Sequence, residues 1–112
     1  MPDGLVMLVF HAHLPYVRHP ELNYCLEENW FFEAITETYI PLLMVFEQLV
    51  EDKVNFKITL TMSPTLTSML KDDFLQERCR KYLSSRLELA NKEKIRTWGQ
   101  PDFHCVARWY RA

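Results

Sequence analysis

Leu5-Val6-Met7-Leu8-Val9-Phe10-His11-Ala12-His13-Leu14-Pro15 decides how this chain folds. Six apolar residues in a row, unbroken rather than alternating, predict a strand over Leu5 to Phe10 covered on both faces, as in a parallel sheet. The run then breaks into two histidines and a proline. Residues two apart in extended backbone share a face, so His11 and His13 are expected to point the same way from the strand's carboxyl end.

Outward from that strand, Leu14 to Cys25 reads as a loop, because Pro15 and Pro20 exclude helix and push their predecessors toward extended backbone. Asn29 is expected to cap a helix starting at Trp30. Pro41 fits the first turn of a second helix, whose apolar stripe is Leu42, Leu43, Val45, Phe46, Leu49 and Val50. Asn55 to Met62 alternates, with Phe56, Ile58, Leu60 and Met62 against Asn55, Lys57, Thr59 and Thr61, and predicts a second strand with one polar face. Ser63-Pro64 reads as a cap and first turn for a short helix over Thr65 to Leu70. Asp73 is expected to cap a longer helix facing Leu75, Cys79, Tyr82, Leu83 and Leu87 inward. Gly99 to Asp102 reads as a turn, and helical character resumes from Phe103 to Ala112.

The order strand, helices, strand, helices predicts an α/β fold with a βαβ unit. Two strands alone leave an apolar face uncovered. With 112 residues and only 2 Gly to make turns, the chain is therefore expected to be the N-terminal part of a longer barrel-like enzyme.

Composition narrows the class. A charge of −2, with the basic residues from Arg78 to Arg111 interleaved among acids, suggests a solvated helix face and no nucleic-acid partner. Cys25, Cys79 and Cys105 are widely spaced and odd in number. They read as small packed thiols in a reducing, cytoplasmic setting, with no structural zinc pattern and no base beside them. Leu5 to Phe10 is too short for a membrane span or a signal segment, so no membrane partner is expected.

Several side chains carry chemistry. An imidazole can ligate a metal, shuttle a proton or hydrogen-bond hydroxyls, so the pair at the strand end is the leading candidate site. His-x-His after a first strand also occurs in metal-dependent hydrolases of the amidohydrolase type, which need further ligands; Thr61-Met62-Ser63-Pro64 offers no strong one. In Trp30-Phe31-Phe32, at least one phenylalanine is expected in the core. Trp30 is either core or an aromatic platform for a sugar face. Glu33 and Glu37 lie one helical turn apart and read as exposed helix glutamates. Arg18 and Tyr16 either reach the site or hold the loop down.

LVMLVFHAHLPYVRHPE, then LEENWFFEAITETYIPLL, then a strand ending LTMSPTL, resembles the N-terminus of glycoside hydrolase family 57, and most of all its 1,4-α-glucan branching subgroup. The likeness runs on to FHCVARWYRA and so covers nearly the whole chain. It implies that residues 1–112 are the N-terminal part of a catalytic domain shaped as a distorted (β/α)7 barrel. It also implies a retaining mechanism, with a glutamate nucleophile and an aspartate acid/base, both expected beyond residue 112. The substrate implied is an α-glucan, with transfer to a 6-hydroxyl giving an α-1,6 branch; the alternatives are an α-amylase-like hydrolase of the same family, the amidohydrolase-type enzyme above and a non-catalytic glucan-binding remnant. No metal or organic cofactor is implied. The residues that carry over are His11 and His13, lining the glucan cleft, and Trp30 near it.

Overall fold

The structure is a computed structural model that describes residues 4–109. The chain divides into two units, one ending at Leu75 and one beginning at Gln76.

In the first unit, strand β1 (Val9–Ala12) pairs in parallel with β2 (Thr59–Met62), in the register Val9↔Thr59, Phe10↔Leu60, His11↔Thr61, Ala12↔Met62. The ladder extends at both ends, through Thr59 N–H donating to Leu8 O at 3.1 Å and Ser63 N–H donating to Ala12 O at 2.9 Å. Helices connect the two strands, as the βαβ reading requires. Both strands are shorter than their sequence patterns. β1 begins at Val9 rather than Leu5 and runs through the first histidine to Ala12, and β2 begins at Thr59 rather than Asn55. Strand extent is set by the partner, and Leu5, Val6 and Met7 have none among the described residues; they stand largely exposed.

The connection is one helical run in three parts. Helix α1 (Leu26–Glu33) passes into a π-helical segment (Ala34–Tyr39) and then α2 (Ile40–Glu51). Asn29 does not cap α1. The helix starts a turn earlier at Leu26 after an extended Cys25, and Asn29 lies inside it, buried, with Nδ2 donating to the Tyr24 hydroxyl at 2.9 Å. Pro41 stands as expected in the first turn of a second helix, α2, although that helix continues directly from the one before. It comes directly after the π segment, where Ile40 N–H donates to Ile35 O five residues back. A proline inside an α-helix removes one backbone bond and crowds the carbonyl four residues earlier. A wider turn just before it relieves that crowding. The expected stripe on α2 is only partly covered, since Leu42, Phe46 and Leu49 are half-buried and Leu43, Val45 and Val50 are exposed. Phe46 stacks on Phe56 at 5.9 Å between ring centroids.

Helix α3 (Pro64–Leu70) follows β2 at once. Ser63 is extended, accepts Leu66 N–H on its hydroxyl at 3.3 Å, and precedes Pro64 in the first turn. Helix α4 (Asp73–Trp98) is capped by Asp72 rather than Asp73, with Leu75 N–H donating to Asp72 Oδ1 at 2.9 Å. The cap falls one residue early because the acceptor must lie three residues before the N–H it serves. The core of this unit is Val17, Cys25, Phe31, Phe32, Leu66, Met69 and Leu75.

The second unit holds most of α4, a 3₁₀ turn (Pro101–Phe103) and α5 (His104–Trp109); the expected helix end at Tyr110 to Ala112 lies outside the described residues. Cys79, Thr97 and Ala107 are buried and Tyr82 is half-buried, whereas Leu83 and Leu87 are exposed. Acids on α4 pair with bases one turn on, as in Glu77 with Arg80 and Lys81 and Glu93 with Arg96 at 2.6 Å. This is the solvated face that the charge pattern suggests. Cys105 is exposed, contrary to its expected packing, since α5 turns that position outward.

Candidate functional site

The parallel register sorts the strand side chains onto two faces. Phe10 and Ala12 share one with Leu60 and Met62. His11 and His13 share the other with Thr59 and Thr61. The two imidazoles stack with centroids 6.1 Å apart and planes 9° from parallel, and both are exposed. His11 Nδ1 lies 2.7 Å from Thr61 Oγ1, and that hydroxyl also donates to Phe10 O at 3.4 Å.

The backbone around His13 is held on both sides. Ala12 O accepts from Ser63 N–H, and Leu14 O accepts from the Thr65 hydroxyl at 3.0 Å. Thr65 Oγ1 lies 2.9 Å from the Ser63 hydroxyl that caps α3. The turn after β2 thus anchors the chain leaving β1, and the imidazole pair projects from a fixed strand end.

The loop beyond is anchored in turn. Val17 is buried, and its N–H meets Met69 Sδ at 3.2 Å. Arg18 Nε donates to Asp72 Oδ2 at 2.8 Å, and its guanidinium lies over the Phe74 ring, 4.9 Å from the centroid. Arg18 therefore holds the loop down, while Tyr16 stands exposed. His19 N–H donates to Glu28 Oε1 at 2.9 Å, and Glu28 is 2% exposed. A carboxylate this buried must be hydrogen-bonded, so Glu28 ties the loop to α1 rather than facing solvent.

Asp72 caps α4 and pairs with Arg18, and these roles predict a pH response. Hydrogen bonding from Leu75 N–H first, and then Arg18, holds its carboxyl below the ordinary range. A depressed folded pKa adds stability that is present above the unfolded value of about 3.9 and lost as pH falls through the lower folded value. Asp72→Ala is expected to cost about 0.5–2 kcal/mol at pH 7, the range of a lost cap. Urea unfolding at a series of pH values should show this gap narrowing as Asp72 protonates.

A groove of about 470 Å³ lies beside the strands. Its walls include Phe10, Ala12, Leu60 and Met62 from one sheet face, together with Tyr39, Leu42 and Phe46. It is thus the space between strands and helices; His11 and His13 border it but carry their rings on the opposite face. Burial there raises the Tyr39 pKa.

Trp30 sits within α1, half-exposed at 50%, and does not line this groove. The structure brings His11 and His13 together and leaves Trp30 on a separate element. Phe31 and Phe32 are both buried, and Glu33 and Glu37 are exposed. Among the described residues, no group of three or more His, Cys, Asp or Glu is placed to hold a metal. The Cys25 thiol donates to Glu27 Oε2 at 2.9 Å; that bond, with burial, pushes its pKa up and keeps it protonated. Burial does the same for Cys79. Thr61, Thr65 and Glu28 are the residues that sequence reasoning did not select, whereas Ser63 was read as a helix cap. The polar alternation of β2 was the available signal for Thr61, and its place after Ser-Pro for Thr65.

A βαβ unit with a stacked imidazole pair on an anchored strand end is an α/β arrangement, the class in which functional groups gather at the carboxyl ends of strands. The family model described as glycosyl hydrolase family 57 matches residues 7–107, and the chain belongs to that family. It is 38% identical over 90 residues, 80% of its length, to a 1,4-alpha-glucan branching enzyme of Thermococcus kodakarensis, of which it spans 13%. The crystal structure of that archaeon's family 57 branching enzyme, in complex with glucose and additives, matches 94% of the chain at a TM-score of 0.78 and 34% identity, over 19% of its own length. The alpha-amylase AmyC from Thermotoga maritima matches 94% of the chain at a TM-score of 0.80 and 48% identity, over 20% of its length.

Proposed function

We propose that this chain forms one wall of an α-glucan cleft in a branching enzyme, with β1 and β2 as the first strands of a distorted (β/α)7 barrel. The reading rests on one observation: two exposed, parallel imidazoles on a strand end anchored at Ala12 and Leu14. Such groups suit neutral sugar hydroxyls, which offer both donors and acceptors in fixed directions. Trp30, half-exposed, is a further sugar-facing platform in this reading. Cleavage and transfer fall to carboxyl groups outside these 112 residues. Branching leads because the curated relative at 38% identity is named a branching enzyme. An α-amylase-type hydrolase is the second reading, favoured by the 48% identity to the Thermotoga structure.

The test is made in an active family 57 enzyme carrying this chain as its N-terminal segment. His11→Ala and His13→Ala are each expected to cost about 0.5–1.5 kcal/mol, or about two- to tenfold in kcat/KM, with more lost where a partner is left unpaired. Chelation should change nothing further. Stoichiometric metal that disappears in the variants would replace the sugar-binding role with a metal-ligating one. On amylose, falling iodine staining without new reducing ends identifies branching, and rising reducing ends identify hydrolysis.

A further inference from the structure

We propose that Thr61 is a positioning residue that holds His11 as its Nδ1–H tautomer and leaves Nε2 as a hydrogen-bond acceptor for a ligand hydroxyl. A threonine hydroxyl has one proton and two lone pairs. Thr61 Oγ1 makes two contacts, with Phe10 O at 3.4 Å and His11 Nδ1 at 2.7 Å. A carbonyl only accepts, so the Thr61 proton is directed to Phe10 O. The same oxygen then receives the Nδ1 proton. In the opposite arrangement Thr61 gives its proton to Nδ1, and the contact to Phe10 O is empty. The first arrangement satisfies both contacts, the second only one. A neutral imidazole protonated on Nδ1 has its bare lone pair on Nε2, the other side of the ring. His11 then accepts from a sugar O–H instead of donating to a sugar oxygen. His13 has no hydrogen-bonding partner among the described residues and stacks on His11. Its tautomer is not tied to Thr61, which makes it an internal control.

The role toward a sugar rests on the glucan-cleft reading; the tautomer assignment does not. The test is nitrogen-15 NMR of histidine-labelled chain at about pH 8.5, about two units above the ordinary imidazole value. Magic-angle spinning gives the same readout whether the chain is monomeric or associated. His11 should carry its proton mainly on Nδ1 in the wild type and in Thr61→Ser, which keeps the hydroxyl. In Thr61→Val the tautomer ratio should shift by about two- to tenfold toward Nε2–H, with His13 unmoved. A wild-type His11 protonated mainly on Nε2 overturns the assignment. So does a Thr61→Val ratio equal to the wild type, or a Thr61→Ser ratio that moves as far as Val. Maltoheptaose is then added. A shift at Nε2 of His11 that weakens in Thr61→Val supports the acceptor role. Maltoheptaose that moves neither imidazole in the wild type sinks the glucan-cleft reading and with it the acceptor role, while the tautomer result stands.

Discussion

Incubated with amylose, the 112-residue chain is expected to give neither a fall in iodine staining nor new reducing ends. Retaining glycoside chemistry needs two carboxyl groups about 5–5.5 Å apart, one attacking the anomeric carbon and one exchanging a proton with the leaving oxygen. Among the described residues the imidazole face offers no such pair. Residues 9–17 and 59–71, which build both strands and the turns at their carboxyl ends, contain no aspartate or glutamate. The acids that flank them are engaged elsewhere: Glu21 Oε1 lies 3.0 Å from His19 Nδ1, Asp72 accepts from Leu75 N–H and Arg18, and Glu28 is buried and occupied by His19 N–H. Glu33 and Glu37 are exposed on the helical run that connects the strands. Imidazoles alone can orient a sugar but cannot supply a glycosyl-enzyme bond and a matched acid in this mechanism. Removing the nucleophile from an intact hydrolase can cost about 10⁶-fold in kcat, so the expected rate is below detection. Turnover that keeps constant specific activity through purification, and that His13→Ala abolishes, would show a catalytic centre within these residues and overturn this division of labour.

The parts of the fold that were legible in the sequence are those written locally. An unbroken apolar run, a proline-rich break and a Ser-Pro pair each act within a few residues. They placed the first strand's carboxyl end, the loop and the start of α3. Period two put His11 and His13 on one face, and the stacked rings show it. What escaped depends on partners far away in the chain. β1 stops short of Leu5 because hydrogen-bonded extent follows β2, about fifty residues on. The Thr61 contact needs the register of that pairing, which no local pattern encodes. Pro41 was legible as a first-turn proline, but the widened turn that joins α2 to the helix before it was not. Asn29 has a good cap side chain, yet tertiary placement beside Tyr24 drew it inside the helix.

The second large effect separates two neighbouring aromatic residues. Phe31→Ala is expected to destabilise the chain by about 3–5 kcal/mol, the usual cost of deleting a buried phenylalanine and leaving a cavity. Phe31 is 1% exposed and meets Phe32 in a tilted pair at 6.0 Å, so truncation loses both apolar burial and a ring contact. The fully covered apolar side chains are few, and much of the apolar surface on β1, β2 and α2 is open to solvent. Stability for a chain of this length is typically about 5–15 kcal/mol when its core is complete, and a sparse core places it toward the low end. A loss of this size then removes most of that stability margin. Trp30→Ala, one residue earlier, is expected to change stability by less than about 1 kcal/mol beyond the change in helix propensity, because half of the indole is already in water. Its effect should fall on glucan affinity instead. Urea unfolding of both variants, with maltoheptaose titration of Trp30→Ala, reads the two roles separately. If Trp30→Ala unfolds the chain as readily as Phe31→Ala, the tryptophan is a packing residue and leaves the proposed cleft; if it loses affinity at unchanged unfolding midpoint, α1 divides its aromatic residues between core and ligand within a single turn.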